Sequence, residues 1–324
     1  MTDWAAIQVA KAADNVVNTS LAVKPGEQVA IAADHNSDPA VVDALLAAVA
    51  AAGAEGTLLV QPARVRAGEP ANKVIAAALA GADVIISPTS TALSFTPELK
   101  EALNRGARAI VMTGVTRAEL TGGAGVADYE EVYRITKPLA DAITAGKVMR
   151  ITSAQGSDLT ASLEGVTCGV GASFAREPGQ ISSYPSGEAW SAPATGTGKG
   201  VLVADGSAHE LGKLSEPIRV HFDEGRAVKI EGGAQAEELR QMIHGVENGD
   251  NLGELSIGTN PSARFLGNIT EDKKQVGTVH FALGNSVVGG KVKAPIHVDL
   301  LLLTPTVEVD GEILVQDGKI VKTA

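Results

Sequence analysis

The sequence predicts an α/β N-terminal domain with a parallel sheet, joined to a mostly antiparallel, β-rich (α+β) C-terminal domain. Three observations carry that expectation. Up to about residue 145, short β-branched runs alternate with alanine-rich segments of helical periodicity, the grammar of βαβ units. From Met149 onward, short alternating segments separated by Gly, Asp and Asn take over, the grammar of antiparallel sheet. The 324 residues exceed one average domain of about 150, so two domains, 1–147 and 148–324, are expected.

The first domain contributes candidate strands at 28–33, 57–61, 83–87 and 109–113, with crossover helices near 39–53, 72–82 and 97–106. Right-handed crossovers make such strands parallel. The segment from Asp34 through His35, Asn36, Ser37 and Asp38 to Pro39 falls where the first strand ends and a helix begins. Ser87-Pro88-Thr89-Ser90 occupies the same kind of place after the third strand. In open α/β sheets, ligands collect at that edge. A last helix at about 128–145 leads to Gly146-Lys147. The second domain then offers strands at 150–153, 159–163, 200–204, 218–222, 227–231, 277–283 and 295–303, one helix at about 236–243, and a hairpin over 307–315 turned at Asp310-Gly311.

Composition narrows the function. Apolar residues make up 44% and charged residues 20%, ordinary globular usage. A net charge of −11 and a pI of about 5.1 argue against nucleic acid as a partner. The single Cys168 supplies neither a disulfide nor a thiolate metal cage, and reads as a small buried thiol. No apolar run reaches the roughly 18–20 residues of a membrane span. The start Met1-Thr2-Asp3-Trp4 lacks the basic region of a secretory signal, so the expectation is a cytoplasmic chain without a membrane partner. No G-x-G-x-x-G follows the first strand, and Gly196-Thr197-Gly198-Lys199-Gly200 is not a P-loop. Neither a G-x-S-x-G elbow nor an H-E-x-x-H pair is present.

The chemistry concentrates in the second domain. In Ile296-His297-Val298-Asp299-Leu300, His297 and Asp299 stand two residues apart and share one face of a strand, while their apolar neighbours face the other way. An imidazole and a carboxylate inside an apolar strand are costly to bury unless something pairs with them, and a metal ion would do so. His280 repeats the pattern in Thr278-Val279-His280-Phe281, and the short loop 285–291 makes the two strands neighbours. Two histidines and a carboxylate are the minimal shell of a zinc, cobalt, manganese or iron site. Glu188 and Glu254, each after a glycine and before a strand-like run, bring enough ligands for two ions about 3.5–4 Å apart. Two further residues are candidates: His35, as an acid–base or substrate-binding group, and Arg264, as a holder of a substrate carboxylate. His209, His221 and His244 sit among acidic residues and read as solvated surface.

The ordered set Pro185-Ser186-Gly187-Glu188, Glu254 through Pro261, Gly277 through Gly284, Gly289-Gly290-Lys291 and Pro295-Ile296-His297-x-Asp299 resembles the aminopeptidase T / aminopeptidase S family of metallopeptidases over essentially the whole chain. Gly156-Ser157-Asp158-Leu159-Thr160 resembles it too. The resemblance implies a homodimeric hydrolase that removes N-terminal residues from small peptides. Glu188, Glu254, His280, His297 and Asp299 would hold two divalent ions (Co, Zn or Mn) that activate a shared water. One departure is Val287, at the position where that family carries a catalytic tyrosine. The alternative expectation is a mononuclear Fe(II) ring-cleaving enzyme acting on a hydroxylated N-heterocycle. His280, His297 and Asp299 match the two-histidine, one-carboxylate triad, and the 2,5-dihydroxypyridine dioxygenases are similar to these peptidases in fold. A chain that binds no metal would point to a third class, a non-enzymatic binding domain.

Overall fold

In the computed structural model, residues 4–66, 68–94, 96–287 and 289–321 are described. Met1-Thr2-Asp3, read above for a leader, and Val288 of the loop 285–291 lie outside them. The chain divides into two compact units. One is Met1–Tyr129 with Ala172–Ser186; the other is Glu130–Gly171 with Gly187–Ala324.

The first unit is the expected α/β layer structure. Its strands β1 (Gln28–Asp34), β2 (Glu55–Gln61), β3 (Val84–Ser87) and β4 (Arg108–Val111) pair in the order β2-β1-β3-β4, all parallel. Strands β3 and β4 are buried along their whole length and β1 along all but its first residue, as a sheet covered on both faces requires. The helices begin where local chemistry satisfies their first N–H groups. Asp38 caps α2 (Pro39–Ala51) by accepting from the Ala40 N–H at 2.9 Å, with Pro39 at the first helical position. Asn72 caps α3 (Lys73–Ala80), and Thr96 caps α4 (Pro97–Asn104). Two elements depart from the expectation. Helix α1 (Trp4–Asp14) precedes the sheet, and the strand Ile181–Ser183 adds to β4 in parallel, which brings Ala172–Ser186 into this unit.

The second unit is antiparallel and β-rich. Eight strands form one sheet and seven another among the described residues, and apolar side chains from both sheets join in one core. Helix α5 (Tyr129–Ala145) leads into it, and α6 (Ala234–Ile243) lies where the sequence predicts a helix. The hairpin between Pro305–Val309 and Glu312–Gln316 turns at Asp310 (φ 51°) and Gly311 (φ 84°). Both residues are left-handed, as the Asp-Gly signal requires. No helix among the described residues is long and apolar enough to cross a membrane.

Candidate metal centre

Four adjacent strands of the seven-stranded sheet build the site, in the spatial order His297–Leu302, Val279–Gly284, Leu252–Gly258 and Glu188–Ser191. Their register settles which side chains share a face. Ala282 lies opposite Asp299 and Gly284 opposite His297, so His280, two residues before Ala282, shares the face of both. Glu254 lies opposite Ala282 and Ser256 opposite His280, while Gly258 lies opposite Glu188. All five expected ligands therefore project to one side. The intervening residues Leu255, Ile257, Val279, Phe281, Leu283, Val298 and Leu300 project to the other and belong to the apolar core. Gly187 (φ +148°) is held by this packing, since a Cβ there would meet the Asn260 Cβ at 2.3 Å. The close approach sets the start of the Glu188 strand against the end of the Glu254 strand.

Glu254 is the centre of the cluster. Its Oε1 lies 3.2 Å from His280 Nε2 and its Oε2 3.0 Å from His297 Nε2. The Ser256 hydroxyl donates to Oε1 at 2.6 Å. His280 Nε2 is also 3.4 Å from Glu188 Oε2, and His297 Nε2 is 3.1 Å from Asp299 Oδ1. Two overlapping sets of candidate ligands result, Glu188/Glu254/His280 and Glu254/His297/Asp299, with Glu254 common to both. His280, His297 and Asp299 thus meet by way of Glu254 rather than as a separate triad. His297 Nδ1 faces the Asn285 carbonyl at 2.8 Å. A carbonyl only accepts, so Nδ1 carries a proton and Nε2 is the nitrogen turned toward the carboxylates, where it would become a ligand on giving up its own proton to a metal ion.

Sequence reasoning missed Lys273, which follows α7 (Ile269–Asp272). Its Nζ lies 3.1 Å from Asp299 Oδ2 and 3.8 Å from Glu188 Oε2. It sits in the run Glu271-Asp272-Lys273-Lys274, which by composition reads as solvent-facing, and only the fold turns it inward.

The electrostatics are those of a buried anionic cluster in search of positive charge. Burial by itself would raise the Glu254 carboxyl, but His280, His297 and Lys273 hold it well below the usual carboxylate range. Asp299, equally buried, is held down by Lys273 and the two histidines. Burial would lower the His297 imidazole, yet the carboxylates of Asp299 and Glu254 push it up to about 10. Glu188 Oε2 and Asp299 Oδ1 are buried without a hydrogen-bond partner. Buried carboxylate oxygens met by imidazole contacts that make no aligned hydrogen bond are expensive, so this donor set fits a divalent cation.

The remaining candidates belong to other elements. His35 is exposed just beyond β1, its N–H donating to the Gln61 carbonyl at 3.0 Å. Arg264 is exposed, with its backbone N–H on Glu271 Oε1 at 3.1 Å. Cys168 is a free, buried thiol pushed up to about 12 by burial, which makes it inert at neutral pH.

Known proteins resemble this chain over nearly its whole length. The profile of the 2,5-dihydroxypyridine 5,6-dioxygenase family matches residues 9–322. The 2,5-dihydroxypyridine 5,6-dioxygenase of Pseudomonas putida KT2440 is 25% identical over 324 residues, covering 91% of each chain. A solved structure of 2,5-dihydroxypyridine dioxygenase from the same organism superposes with a TM-score of 0.86 at 23% identity, over 98% of this chain and 97% of that one. AmpT from Thermus thermophilus superposes with a TM-score of 0.71 at 15% identity, over 98% and 99%, a likeness of fold alone. These matches overturn the main expectation of a metallo-aminopeptidase, and with it the hydrolase and protease readings. The motifs that carried the peptidase resemblance lie on a scaffold that both kinds of protein share, so they report the fold and leave the reaction open.

Proposed function

The chain belongs to the 2,5-dihydroxypyridine 5,6-dioxygenase family, and from that premise we propose that it cleaves the ring of a hydroxylated N-heterocycle of the 2,5-dihydroxypyridine type with dioxygen at a single Fe(II). The observation that carries this reading is the convergence on one sheet face of two imidazoles and buried carboxylates, two of whose oxygens have no hydrogen-bond partner. His280, His297 and Asp299 would hold the ion together with Glu254, whose two carboxylate oxygens face the two imidazoles. Mixed nitrogen and oxygen donors of this kind suit non-haem iron. Bound there, Fe(II) would supply the redox chemistry toward dioxygen, for which no amino-acid side chain here has the means.

The chain's own residues do the rest. The Asn285 carbonyl fixes the His297 ring, and the Ser256 hydroxyl orients Glu254. The apolar reverse face of the sheet keeps water from the strands behind the ligands. Glu254 and Asp299 remain ionised at neutral pH, so toward a hydroxylated substrate they act as hydrogen-bond acceptors and not as acids. The His297 side chain is 30% exposed while that of His280 is fully buried, which makes the His297 side the approach for a small molecule.

The test is anaerobic loading of purified protein with Fe(II), followed by 2,5-dihydroxypyridine in aerated buffer, with oxygen uptake and loss of the aromatic absorbance followed together. The expected result is one dioxygen consumed per ring lost, with no hydrolysis of leucine p-nitroanilide. Hydrolysis of the anilide without oxygen uptake would sink the proposal.

A further inference from the structure

The two overlapping ligand sets, Glu188/Glu254/His280 and Glu254/His297/Asp299, share a central carboxylate and end in one outer carboxylate each. That layout offers places for two cations side by side. The outer carboxylates are also the two that Lys273 Nζ reaches, at 3.8 Å from Glu188 Oε2 and 3.1 Å from Asp299 Oδ2. We propose that the Lys273 ammonium takes the place of a second metal ion and so restricts the cluster to one. The inference rests on reading the cluster as a metal centre and adds the residue that sets its stoichiometry.

Charge and position both support it. Glu188, Glu254 and Asp299 bring three negative charges and Lys273 one positive, which leaves the charge of a single divalent cation to be matched. A second divalent ion would overcharge the site while sitting beside an ammonium, which has three donors and no lone pair to coordinate with. The lysine cannot easily withdraw. Its side chain is 19% exposed. The backbone that carries it packs on the Glu254 strand so closely that a Cβ on Gly258 would meet the Lys273 carbonyl at 2.9 Å and the Gln275 carbonyl at 2.1 Å. Gly258 N–H donates to the Thr278 carbonyl and Asn260 N–H to the Lys274 carbonyl, and Asp272, fully buried, anchors the turn by accepting from the Ser207 hydroxyl and the Leu266 N–H. The ammonium is thus delivered by a rigid turn to a fixed point between the two outer carboxylates.

The experiment counts ions. Chelator-treated wild-type protein, Lys273→Met, Lys273→Gln and the charge-retaining Lys273→Arg are each loaded with excess Mn(II) and desalted. They are then measured by elemental analysis and by electron paramagnetic resonance, in which two ions about 3.5–4 Å apart give an exchange-coupled spectrum. One ion with an uncoupled signal is expected for wild type and for Lys273→Arg, and two coupled ions for either neutral variant that folds. A coupled pair in wild type, two ions in Lys273→Arg, or one ion in a folded neutral variant would overturn the inference. If neither neutral variant folds, the wild-type and Lys273→Arg counts decide by the same criteria. No metal in any protein would overturn the inference together with the metal reading beneath it. One Mn(II) in wild type without dioxygenase activity of the iron form would remove the proposed reaction and leave the stoichiometry standing.

Discussion

His297 shows how a single side chain links the sequence to the chemistry. It stands out in the sequence because a polar residue inside an apolar strand, two positions from a carboxylate, has few inexpensive explanations. Its pKa, pushed up to about 10 from an ordinary 6.5 by Asp299 and Glu254, makes it a cation in the metal-free protein at neutral pH. The sign of the linkage follows. A group whose folded pKa is raised contributes stability that is fully present below about pH 6.5 and is lost as pH climbs through about 10. The metal-free protein is therefore expected to lose thermal stability across that window, while the loaded protein, whose Nε2 no longer titrates, loses less. Loading at pH 8 should also release a proton from His297. Calorimetric titration with metal in two buffers of different ionisation enthalpy reads that proton, and identical heats in both would refute the assignment. Lys273 is the contrasting case. Nothing in the composition of Glu271-Asp272-Lys273-Lys274 announces that the run turns inward, where Glu271, Asp272 and Lys274 are buried as well, because that is decided by a turn packed on Gly258.

At the level of elements, alternation is the most informative signal and shortness the most misleading. The strands Val279–Gly284 and His297–Leu302 are readable because one face has to be apolar, and register then carries Glu254 and Glu188 to the opposite face with the histidines. Ile181–Ser183 offers no such pattern. Three residues with two exposed cannot advertise a strand, and its place beside β4 depends on parallel hydrogen bonds the sequence does not encode locally. Helix α1 escapes notice for a related reason: only Val9, Ala12 and Ala13 of its residues are buried, a stripe too narrow to stand out. The reverse face of the metal strands gives a test at this scale. Phe281 is fully buried and meets Phe222 of the other sheet edge-on, with ring centroids 6.1 Å apart. Phe281→Ala removes the ring that ties the two sheets together directly behind His280, and should cost about 3–5 kcal/mol. Urea unfolding of the metal-free protein measures it, and a loss below about 1 kcal/mol, the range of surface substitutions, would show that this face is not the core of the sandwich.

For the molecule as a whole, the two-part α/β and β-rich architecture is written plainly in the sequence, and so are the five residues of the cluster. The reaction is not. Sequence motifs that recur on one scaffold fix where ligands stand on strands, whereas the choice between hydrolysis and oxygen chemistry turns on the number and identity of the cations and on what lies around them, such as Lys273. All the candidate ligands belong to the unit Glu130–Gly171 with Gly187–Ala324, and that placement has a consequence that can be measured. A metal at a hundred times its dissociation constant stabilises what it binds by about 2.7 kcal/mol. Because the ion would tie adjacent strands of one sheet to each other, the protection should appear in peptides covering Leu252–Gly258, Val279–Gly284 and His297–Leu302, slowing their exchange up to about a hundredfold where it proceeds by opening of that unit. Peptides of β1 to β4 contribute no ligand and should exchange at nearly the same rate with and without metal. Hydrogen–deuterium exchange of chelator-treated and reloaded protein separates the two sets. Equal protection of β1 to β4 would mean that the ion is held by more of the chain than these strands, and protection of β1 to β4 alone would place the metal outside the cluster around Glu254.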